Sequence, residues 1–109
     1  VKGDQISMIC VVFHVPMVYP DGSNLHQHFL NALLSEVYEF AGGLSYFEGL
    51  GAWQNPDDGE RVLEPILRVL VGVEEHQVND LITLVVDWLK GPFHQQAVWL
   101  EIDGTPEIR

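Results

Sequence analysis

The stretch Ile6-Ser7-Met8-Ile9-Cys10-Val11-Val12-Phe13-His14-Val15 is rich in β-branched residues and apolar on both parities, so as a strand it needs cover on both faces. It must lie centrally in a sheet, with helices over one side and an interface or further cover on the other. Pro16 ends it for want of an N–H. The cluster Tyr19-Pro20-Asp21-Gly22-Ser23-Asn24 then reads as a turn, with Ser23 or Asn24 placed to cap a following helix.

That helix is predicted over 25–40. Projection at the helical period of about 100° per residue puts Leu25, Phe29, Leu33, Val37 and Phe40 on one side, with Leu30 and Leu34 at its margin. Ala41-Gly42-Gly43 supplies a left-handed stop. A second strand spans 44–53, where Gly49 and Gly51 point to a bulge or a close backbone approach. Asn55-Pro56-Asp57-Asp58-Gly59 is the turn into a third strand over 61–73, whose core face carries Leu63, Leu67, Val69, Val71 and Val73. Pro65 places the start of that strand at a sheet edge or a bulge. Glu74 and Glu75 suit the positive end of a second helix, which runs to Lys90 and stops at Gly91-Pro92. Its apolar arc is wider than one sheet face requires, so Leu84 or Trp88 must touch something else. A fourth strand follows over 97–102, with Val98, Leu100 and Ile102 inward, and 103–109 reads as a turn and short tail.

The order is βαββαβ, and right-handed crossovers put both helices on one face of the sheet. The expected fold is a single α+β domain over 1–109, a ferredoxin-like sandwich with a four-stranded antiparallel sheet. Its other face would carry Val62, Glu64, Ile66, Arg68 and Leu70 with Trp99 and Glu101, too much apolar surface to leave wet. A homo-oligomer, a dimer before anything larger, is the expected cover.

Charge and composition remove other classes. The chain has 109 residues, 47% of them hydrophobic, which is enough for one core and excludes wholesale disorder. Its 16 Asp and Glu against 5 Lys and Arg give a net charge of -11, which repels phosphate backbones and anionic lipid, so neither a nucleic-acid nor a membrane partner is expected. One cysteine makes no intramolecular disulfide, and no ligand spacing for zinc occurs. Lys2 and Asp4 precede an apolar stretch too short to span a bilayer and without a small-residue cleavage site, so a cytoplasmic setting is expected.

Three stretches carry a resemblance: Pro20-Asp21-Gly22; Phe40-Ala41-Gly42-Gly43-Leu44-Ser45 running through Gly51-Ala52-Trp53; and Phe93-His94-Gln95-Gln96-Ala97-Val98, with Glu64 at an acidic position between them. From about Ile9 to Ile102 the chain resembles a family of small bacterial proteins of unknown function. In that family the second stretch looks like Phe-Pro-x-Gly-Leu-Thr with a later Gly-x-Trp, so Ala41 and Ser45 depart from it while the spacing is kept. The resemblance implies the α+β sandwich and no chemistry.

No catalytic residue, metal set or cofactor is assigned from the sequence. His26 and His28, two apart on a helix, point about 200° apart and cannot share a metal. His14 and His94 stand at the ends of the first and fourth strands, which are expected to run antiparallel without being adjacent. Glu36 wants a cation such as Arg61 or Arg68, and Glu64 and Arg68 share a strand face where an ion pair is expected. Cys10 reads as a small buried hydrophobe. The candidate binding residues are Trp53, Glu64, Arg68, His94, Gln95 and Trp99. Three functions follow in order: a homo-oligomeric small-molecule-binding or regulatory module, a protein-protein adaptor, and a cofactor-free acid-base enzyme using His14, His94 or Glu64. The last requires two of those side chains to converge in a cleft.

Overall fold

Alternating burial along three strands builds one sheet in the computed structural model, which describes residues 7–109. The elements are β1 (Ile9–Pro16), α1 (Gln27–Ala41), β2 (Ser45–Gln54), β3 (Arg61–Val73), a 3-10 turn (Glu75–Gln77), α2 (Val78–Lys90), β4 (Trp99–Ile102) and β5 (Thr105–Ile108). Ile6, expected to open the first strand, lies outside the described residues, as do Lys2 and Asp4. The sheet order is β2-β3-β1-β4-β5, antiparallel throughout. Val11, Phe13 and Val15 of β1, the odd residues Leu67 to Val73 of β3, and Leu100 of β4 form one core with Leu30, Leu33 and Val37 of α1 and Leu81, Ile82, Val85 and Leu89 of α2. One parity of β1, of β3 from Leu67 onward and of β4 is thus under the helices, and the other parity forms an open face.

The sheet has five strands and not four. Asp103 and Gly104 both adopt positive φ, the two-residue turn that Asp-Gly favours, and the expected tail folds back as β5 along β4. The first and fourth strands are neighbours: Phe13 pairs with Leu100 and Val12 with Glu101. This corrects the expectation that they are separated, and it controls the site.

Several local expectations shift for identifiable reasons. His26, not Ser23 or Asn24, stands at the N-cap of α1, and Ser23 instead bonds Asp21 within the turn. Gly42 ends α1 at φ 83, donating to Tyr38. Glu74 and Gln77 form a reciprocal capping box ahead of α2. Glu36 takes no arginine; it accepts from the Trp88 indole N–H at 2.7 Å, which gives the broad apolar arc of α2 its second contact. No bulge interrupts β2, since its register with β3 is continuous from Ser45↔Leu70 to Gln54↔Arg61. Instead, the Trp53 ring occupies the space above Gly51, where an added Cβ would sit 2.8 Å from it. Cys10 is exposed on the open face rather than buried.

Pro65 explains the shape of the molecule. β1 begins to pair with β3 only at Ile66, so the first residues of β3 pair with β2 alone. The Pro65 carbonyl, facing the β1 side, accepts from Met17 N–H at 3.0 Å, and its missing N–H leaves no gap in the β2 ladder. Leu50–Gln54 and Arg61–Pro65 thereby project as a two-stranded arm, and the molecule measures 55 × 28 × 21 Å.

Candidate functional site

The adjacency of β1, β3 and β4 brings four side chains together on the open face. His14 is paired in register with Arg68 of β3 and flanked on the other side by Trp99, one residue before Leu100. Arg68 Nη1 lies 2.9 Å from His14 Nε2. Because a guanidinium only donates, Nε2 must accept, which leaves the proton of the neutral ring on Nδ1. The indole of Trp99 stacks on the imidazole with centroids 4.4 Å apart and planes 21° apart, and the Arg68 guanidinium stands 5.9 Å from the same indole. Burial, reinforced by the Arg68 charge, pulls the His14 pKa below its ordinary 6.5, with Glu101 acting the other way.

Arg68 Nη2 approaches Glu101 Oε2 at 2.7 Å, an ion pair formed across β1. The approach lies off the N–H direction, so buried Oε2 has the charge of a partner without an aligned donor among the described residues. The expected pairing of Arg68 with Glu64 gives way to Glu101, because strand adjacency puts Glu101 diagonally opposite. Glu64 lies further out, across from Gly51 at the root of the arm; it has no ion-pair partner among the described residues, and burial alone pushes its pKa up.

The six candidate residues fall into three places. Arg68 and Trp99 belong to the cluster just described, and His14 and Glu101 complete it. Trp53 and Glu64 lie on the same open face along the arm, where Trp53 also borders an open depression of about 330 Å³ with Gln54, Gly59 and Arg61. His94 and Gln95 occupy the turn after α2. His94 holds φ 58, and its ring lies 5.2 Å from Tyr19 beside an open depression of about 490 Å³ that Asp21, Ser23 and His26 also line. The hydroxyl and N–H of Ser23 hold the Asp21 carboxyl below its usual range. Gln95 turns back to the Phe93 carbonyl.

His14, His94 and Glu64 therefore have different neighbours, and the acid-base reading loses the convergence it requires. Among the described residues no group of three His, Cys, Asp or Glu is placed to hold a metal ion, and no helix is long and apolar enough to cross a membrane. Of the two cluster residues outside the six candidates, Glu101 was legible as an open-face position and His14 as an acid-base candidate, but only β1–β4 pairing joins them to Arg68. Tyr19 carried no signal beyond its turn.

No family model matches the chain, and no curated protein matches it. Solved structures do. The chain is similar to a phage SAM lyase in complex with S-methyl-5'-thioadenosine, at TM-score 0.69 and 12% identity over 97% of this chain and 92% of that one. It is also similar to the periplasmic divalent cation tolerance protein CutA from Archaeoglobus fulgidus, at TM-score 0.61 and 8% identity over 88% and 81%. A Bacillus cereus protein related to NIF3 matches at TM-score 0.63 and 12% identity, over 92% of this chain but 25% of that one. At such identities the likeness establishes the α+β fold alone.

Proposed function

We propose that the protein is a homo-oligomeric small-molecule-binding module whose ligand lies on the open sheet face at His14, Arg68, Trp99 and Glu101, under cover from a second copy. The observation that carries this reading is the cluster itself. A neutral imidazole stacked on an indole, and a guanidinium paired with a carboxylate, are held together by β1–β4 pairing on a mostly apolar open face. Such a set offers a flat stacking surface edged by the part-exposed guanidinium of Arg68, which fits a flat heterocycle bearing a hydrogen-bond acceptor. The S-methyl-5'-thioadenosine bound by the phage SAM lyase is a ligand of that kind and supports nucleosides as the first class to test.

The cluster lies on a sheet face, so a ligand resting there stays half wet until another surface closes over it. The arm and the part of β2 leading into it support that cover: Leu50 is 74% exposed, Leu63 61% and Trp53 45% on the arm, and Phe47 62% beside it. The test is a titration with nucleosides and related amino-heterocycles, following the indole N–H of Trp99 and the guanidinium N–H of Arg68 by nuclear magnetic resonance. Saturable shifts at these two groups are expected, and the shift at Trp99 should vanish in Arg68→Met. Shifts confined to Tyr19, His26 and His94 would move the site to the depression between the turns that follow β1 and precede β4, and overturn this assignment.

A further inference from the structure

Ten residues of β2, Ser45–Gln54, form the outer edge of the sheet with one whole row of backbone groups unpaired. Edges of this length are normally protected by lysine, proline or a bulge. This one has none of them, and Glu48 is its only charge. The opposite edge, β5, is four residues long and contains Pro106.

Which groups point outward can be read from the hairpin. Asn55 N–H donates to Glu60 at 2.8 Å, so Asn55 faces β3; alternation along the strand then turns the N–H and C=O of 54, 52, 50, 48 and 46 to the free edge. Pro65 agrees, since its carbonyl points to Met17 and not to its partner Leu50.

We propose that a second copy of this chain pairs with β2 antiparallel about a two-fold axis at Leu50, joining the two sheets. This rests on the oligomeric reading above and adds a second contact to it: the joined sheets lie edge to edge with both open faces on one side, so a facing copy, and not this pairing, covers the ligand cluster. In this register Leu50 exchanges both backbone bonds with its own copy, Glu48 faces Ala52, and Tyr46 faces Gln54. On the open face Gly49 meets Gly51 and Phe47 meets Trp53 at the positions where side chains of an antiparallel pair come closest. The glycines leave room beside two aromatic pairs. Centring the axis on Glu48 instead would oppose two carboxylates. The register matches β2 to itself, which favours a second copy as occupant, and its single charge makes β2 a strip along which two chains of net charge -11 can meet.

Two measurements on the full chain test it. Leu50→Pro deletes an N–H that serves no bond within the protomer, so the fold should persist by circular dichroism while dimer dissociation in sedimentation rises at least about tenfold. Separately, in a Cys10→Ser background, Phe47→Cys and Trp53→Cys chains should form a mixed disulfide on oxidation. Either variant alone should not, because its two sulfurs are six residues apart along the strand, about 20 Å. A dimer indifferent to Leu50→Pro, with no preference for the mixed disulfide, overturns the edge pairing and leaves the oligomeric reading standing. A wild-type monomer overturns both.

Discussion

Arg68 is the one cation on the open face of the sheet among the described residues, and it serves His14 and Glu101 at once. Its side chain is 39% exposed and that of Glu101 18%, so solvent screens the ion pair only in part. Arg68→Ala should destabilise the fold by about 1–2 kcal/mol in urea denaturation, since it leaves a half-buried carboxylate and an imidazole acceptor unsatisfied. Glu101→Gln, which keeps the shape, should cost less. His14 gives a pH signature of definite sign. Its folded pKa is depressed, so between that value and the ordinary 6.5 the unfolded chain binds more protons than the folded one. Stability should therefore fall as pH falls through this window, and it should be flat with respect to this group above 6.5. Protonation also removes the acceptor that Arg68 uses and adds a second cation beside it. His14→Gln should abolish this part of the slope, which denaturation at a series of pH values checks; an imidazole titrating at or above 6.5 by nuclear magnetic resonance would contradict the assignment.

At the scale of elements, β3 does two jobs along one strand. Leu63 and Leu67 share its helix-side parity, yet Leu67 is 3% exposed in the core and Leu63 is 61% exposed on the arm. Leu67→Ala should cost about 2–5 kcal/mol, whereas Leu63→Ala should change protomer stability by less than about 0.5 kcal/mol. Thermal denaturation of both variants at low concentration separates the two regions. Periodicity read from the sequence could not make this distinction, because it assigns a face to a residue without saying whether another layer lies over it. The same limit applies to the strand pairings. The helices, their glycine stops and the open-face set Val62 to Leu70 were legible from local pattern. Which strands are neighbours is a non-local fact from which the partners of Arg68 follow, and the packing of α1 against α2, equally non-local, gives Glu36 its partner. The Asp103-Gly104 turn was a readable hairpin signal whose continuation into β5 is only four residues long, too short to stand out by alternation.

As a whole molecule the chain combines a well-covered core with an acidic exterior and an apolar arm that extends past it. A -11 chain is kept apart from other copies by its own charge least where charge is sparse, along β2 with Glu48 alone and on the open face, where Arg68 offsets one of Glu64 and Glu101. In the proposed assembly the open face is shared between copies and holds a small organic molecule between them. Native mass spectrometry of protein purified without a metal-affinity tag reports subunit number and retained mass together. The expected result is an oligomer, with a dimer as its unit, carrying additional mass that is lost in Arg68→Met. A bare monomer over the full concentration range would contradict that assembly and leave the arm as a docking surface for a different protein.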